Sequence, residues 1–102
     1  MSTTLSTLQS IKNTSQSVDD FLSNPGSLTA AAINDLNIQI ELIKGAVREL
    51  PINNTSKNDI LNRLNQAESI LQSSGLTKIE RILAVSQILQ TVALKVETLC
   101  LP

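Results

Sequence analysis

The residues with chemical potential in this 102-residue chain are few, and their spacing argues against most chemistry. Asp19 and Asp20 are the one adjacent acid pair. A carboxylate dyad needs both groups aimed at one point, and neighbours on a helix point about 100° apart. The pair reads as a solvated helix end. Glu41 and Glu49 have Lys44 and Arg48 close in sequence and read as a charged surface. Histidine is absent, which removes Ser-His and Cys-His nucleophile pairs, imidazole proton transfer and histidine metal sites. Cys100 is the single cysteine, so neither an internal disulfide nor a thiolate zinc site can form. It reads as a small apolar residue at a helix end that still permits an intermolecular bridge. Gly26, Gly45 and Gly75 are isolated, so there is no phosphate-cradling glycine loop. Asn13, Asn53 and Asn54 each begin an Asn-x-Ser/Thr triplet, as expected by chance in a chain this rich in asparagine and serine. The expectation is a non-enzymatic protein with no catalytic residues, no cofactor and no metal.

Composition narrows the partners. Charged residues make up 17% of the chain and the net charge is −1, with the charges scattered. Without a Lys/Arg cluster to displace counterions, nucleic acid is not an expected partner. Phe21, the sole aromatic, offers no stacking platform for single strands. Ser, Thr, Asn and Gln number 37, so polarity comes from neutral groups and not from the charge that marks disordered chains. The start, Met1-Ser2-Thr3-Thr4-Leu5, has no basic, apolar leader. Glu80, Arg81, Lys95 and Glu97 interrupt the apolar C-terminal stretch, which predicts no stable membrane insertion. A soluble cytoplasmic protein is the expectation, with signal-independent export left open.

Four segments must position these residues. From Ser27 to Leu50, Ile33, Leu36, Ile40, Ile43, Val47 and Leu50 recur at spacings of three and four, the signature of a helix face. Ile38, Leu42 and Ala46 widen that stripe, and Lys44 falls opposite it. Ser27 or Thr29 can cap the start, and Pro51 stops the helix. Gly45 also falls opposite the seam, where it either softens the helix or admits close packing from outside. From Ser56 to Ser74, Ile60, Leu61, Leu64, Ala67, Ile70 and Leu71 keep a helical period, with Asp59 and Arg63 four apart as an ion pair. Gly75 is placed to end that helix in a left-handed conformation. Thr77 and Glu80 form a capping box, and Ile79, Ile82, Ser86, Leu89, Ala93, Val96 and Cys100 follow as a seam. The first segment, Thr3 to Ser23, has Leu5, Leu8, Ile11, Val18, Phe21 and Leu22 interrupted by Thr14 and Ser15. It reads as a helix that depends on docking.

Short links between four amphipathic segments predict an all-α fold, a four-helix up-down-up-down antiparallel bundle forming one domain over residues 1–102. The last helix carries more apolar surface than its neighbours require. Leu83, Val85, Ile88, Val92 and Leu99 are therefore the predicted interaction face. They imply a protein-protein interaction or assembly module, with a homo-oligomer as the expected partner arrangement. Reversible lipid or apolar-ligand binding by an opening bundle is the alternative.

Overall fold

The computed structural model describes residues 3–100 as four helices around one core. Helix α1 spans Thr3–Ser23, α2 Ala30–Arg48, α3 Asn54–Leu71 and α4 Lys78–Cys100, with a 3-10 turn at Pro25–Ser27 between the first two. Each helix packs on the next in sequence, and α1 closes the ring against α4 through the most extensive contact of the four. The expected four-helix bundle is what forms. Its radius of gyration is 13.3 Å, the value of a compact chain of about 100 residues.

Local chemistry sets the ends of the helices. Thr29, not Ser27, caps α2 by accepting the Ala32 amide hydrogen bond at 3.2 Å. Ser27 belongs to the 3-10 turn and donates its hydroxyl to the Asn24 carbonyl. Asn53 caps α3 by accepting from the Ser56 amide at 2.8 Å. The capping box at α4 forms as expected: the Thr77 amide donates to Glu80 Oε1 at 2.9 Å and the Glu80 amide to Thr77 Oγ1 at 3.1 Å. The Thr77 backbone amide, with the Thr77 hydroxyl behind it, holds the Glu80 carboxyl below its ordinary pKa. Gly75 behaves differently from its predicted role. No described glycine has positive φ, and α3 already ends at Leu71 with Gln72 as its cap, two residues earlier than a glycine cap at Gly75 requires.

The core comes from one stripe per helix. Leu36, Ile40, Ile43 and Val47 of α2 meet Ile60, Leu64, Ala67 and Leu71 of α3 and Ile82, Val85, Leu89, Val92 and Val96 of α4. Leu28 and Leu50, each 1% exposed, plug the ends from the connecting segments. The stripe of α1 departs from the expected one. Thr4, Thr7 and Thr14 face inward with Leu8, Ile11 and Val18, while Leu5 and Leu22 are exposed. Threonine fills a helix interface because its methyl packs like that of valine, provided the hydroxyl has somewhere to go. Thr14 meets this by donating to Gln39 Oε1 of α2 at 2.9 Å.

Two features of α2 also correct the sequence reading. Ile38 and Leu42 point outward, at 51% and 70% exposure, because they lie to either side of the stripe centred on Ile40 and Val47. Lys44, expected opposite the seam, is buried between α2 and α3. Its ammonium donates to Glu68 and Asn65 of α3 and pairs with Glu41 one turn back. Three donors thus meet three acceptors, which allows a lysine to be buried in a small core.

Candidate interaction face

Helix α4 lies between α1 and α3, and this placement divides its apolar residues into two sets. Ile82, Val85, Leu89, Val92 and Val96 are at most 1% exposed and form the inner face. Two of the residues predicted to face a partner, Val85 and Val92, therefore belong to the core. The helix is rotated so that they replace Ile79 and Ala93 in the seam: Ile79 is exposed, and Ala93 is only half-buried. Ile88 is half-buried against the core. Leu83 and Leu99 are exposed, as an interaction surface requires.

The outer face contains residues that sequence reasoning missed. Leu94, 64% exposed, lies three turns from Leu83 on the same side, with Gln87 and Gln90 exposed between them. From Ile82 to Leu94 the helix carries no charged residue on any side. Solvent-facing helix surfaces ordinarily mix both signs of charge, so a charge-free run of 13 residues marks this face out. That run was available as a signal in the sequence.

Leu94 borders three depressions. One, of about 420 Å³, opens toward α3 between Ser56, Asp59, Lys95 and Leu99. A second, of about 250 Å³, opens toward α1 beside Lys12, Gln16 and Glu97. The third is a shallow groove of about 400 Å³ on α4 itself, lined by Gln87, Gln90, Thr91 and Leu94. Ion pairs close both flanks: Lys12–Glu97 at 3.1 Å joins α1 to α4, and Lys95–Asp59 at 3.1 Å joins α4 to α3. The hydrogen bond from Lys95, with the nearby Arg63 charge, keeps the Asp59 carboxyl below its ordinary pKa. The face is thus uncharged, with two glutamines between its exposed leucines, and the charges at its flanks are partnered within the chain.

The residues singled out for chemistry do not assemble. Asp19 accepts from the Ser86 hydroxyl of α4, whereas Asp20 accepts from Gln16 on its own helix, so the pair has no common focus. Cys100 is half-buried in the last turn of α4. Among the described residues no three His, Cys, Asp or Glu side chains approach closely enough to hold a metal ion. Helix α4 is long and apolar enough to cross a bilayer by length and composition, with a third of its most apolar stretch buried in the bundle. No family model matches the chain, and neither the curated proteins nor the solved structures contain one with significant similarity to it.

Proposed function

We propose that this protein is a non-enzymatic interaction or assembly module that associates with itself through the outer face of α4. One observation supports the reading: two leucines, 47% and 64% exposed, bracket a charge-free helix surface whose flanking charges are paired within the chain. Depletion of charged residues at the centre, with the charges at the rim, is the usual anatomy of a protein interface. Sedimentation velocity over a concentration series tests it. The wild type is expected to shift from monomer toward dimer, and the double variant Leu83→Glu/Leu94→Glu to stay monomeric with its helical content unchanged. A wild type that remains monomeric at millimolar concentration rules the reading out.

A second reading, reversible binding to lipid or another apolar ligand, draws on the apolarity of α4. It requires the bundle to open, since the inner face is the core. The scarcity of Lys and Arg on the outer face weighs against it, because surface-seeking helices carry them. Flotation with anionic liposomes discriminates: the self-association reading predicts that the protein stays in the unbound fraction.

A further inference from the structure

Resting on the self-association reading, we infer that the partner is a second copy of this chain docked α4 against α4, antiparallel, in one register. The argument starts from spacing. Leu83, Gln87, Gln90 and Leu94 stand four, three and four residues apart, so the outer face reads the same from either end. That is the alternation of a coiled-coil seam. A two-fold axis between residues 88 and 89 places Leu83 opposite Leu94 of the second copy and Gln87 opposite Gln90 of the second copy. Four layers follow, leucine outside and glutamine inside. In a parallel arrangement each residue would instead face its own counterpart, and the palindrome would have no consequence.

The surface of α4 carries the matching recess. The groove lined by Gln87, Gln90, Thr91 and Leu94 is formed by residues i, i+3, i+4 and i+7. Four residues in that pattern are the hole that receives one knob from a facing helix. In the antiparallel register the knob entering it is Gln87 of the second copy, which meets the Gln90 amide and the Thr91 hydroxyl. Gln90 already donates its amide nitrogen to Ser86 Oγ at 3.3 Å, so its carbonyl oxygen is the group offered to the incoming amide. Buried polar layers of this kind fix register at some cost in affinity. The rim does not oppose the arrangement. At about 100° per residue, Glu80 falls beside Thr98 of the second copy, and Glu97, which is paired with Lys12, beside Ile79 of the second copy. No carboxylate faces another.

One helix pair with four layers covers less than the area of a standard interface, about 1,200 Å² and above, so the dimer is weak and concentration-dependent. Cysteine cross-linking reads its geometry. In a Cys100→Ser background, Leu83→Cys/Leu94→Cys is expected to form a covalent dimer on mild oxidation, while either single cysteine variant stays monomeric on a non-reducing gel. An internal bridge is out of reach, because 11 residues of helix separate the two sites by about 16 Å, and a disulfide spans a Cα separation of about 6 Å. A wild type that dimerises while the single variants cross-link, or while the double variant does not, overturns this register and leaves the self-association reading standing. A wild type that never dimerises overturns both.

Discussion

Leu89 and Leu94 lie five residues apart on one helix and have opposite fates. Leu89 is fully buried between α1 and α3, whereas Leu94 is 64% exposed among three grooves. The same contrast separates Val92 from Leu83. An inner and an outer apolar face on one helix have different energetic roles. The inner face is removed from water whenever the chain folds, so it contributes to stability at about 25 cal/mol per Å² buried. The outer face, with Leu83 and Leu94 still 47% and 64% exposed, gains less on folding and contributes the remainder only when something else covers it. Counting the apolar residues of α4 cannot distinguish these roles; the rotation of the helix against its neighbours does.

The largest expected effect comes from placing a charge on each face. Val92→Asp buries a carboxylate with no partner and is expected to cost more than about 4 kcal/mol, enough to unfold a domain of this size. Leu83→Asp, on the outer face, should leave the circular dichroism spectrum and the urea midpoint close to wild type. Matching losses from the two variants would erase the distinction.

Acid is the next probe, because it attacks a polar contact of the inner kind. The hydrogen bond from Lys44 holds the Glu41 carboxyl below its ordinary pKa. Burial pulls the Lys44 ammonium down, but hydrogen bonds to Glu41 and Glu68 outweigh it and leave its pKa raised. A depressed carboxylate contributes stability that is present above its unfolded value and lost as pH falls through the folded one. A raised ammonium contributes stability that is present below its unfolded value and lost as pH rises through the folded one. Stability should therefore be flat between about pH 5 and pH 10 and fall below about pH 4. Thermal melts across pH check this. In Lys44→Met the acid fall should be shallower, because protonating Glu41 no longer takes a partner from the buried ammonium; an unchanged acid limb contradicts the role of the cluster.

A smaller effect tests whether the outer face of α2 is also open. A Cβ added at Gly45 meets nothing within 4 Å. Gly45→Ala is therefore expected to raise stability by about 0.5–1 kcal/mol, the helix-interior preference for alanine. A loss measured by urea unfolding would mean that something packs against this glycine, beside the exposed Ile38 and Leu42.

How much of this was legible in the sequence varies with each helix's neighbours. The capping box of Thr77 and Glu80 and the seam of α3 were plain, because short-range chemistry and a clean period both survive in one dimension. The inward threonines of α1 were not. Threonine looks polar in a sequence, and only the placement of Gln39 across the α1–α2 contact explains why Thr14 is accommodated. Lys44 was hidden for the same reason, since its partners Asn65 and Glu68 arrive from a different helix. The residues predicted for an interaction face divide in the fold. Leu83 and Leu99 are on the surface, but Val85 and Val92 are not, because a helix apolar on most of its circumference does not reveal which arc its neighbours cover.

The division of α4 into two faces is tested most directly by urea unfolding of Leu89→Ala beside Leu94→Ala at a protein concentration too low for association. The inner truncation should lower stability by about 2–5 kcal/mol, and the outer one should change it by no more than about 0.5 kcal/mol. Comparable losses at the two positions would show that the outer face is part of the folded core and would contradict the division of α4 into two faces.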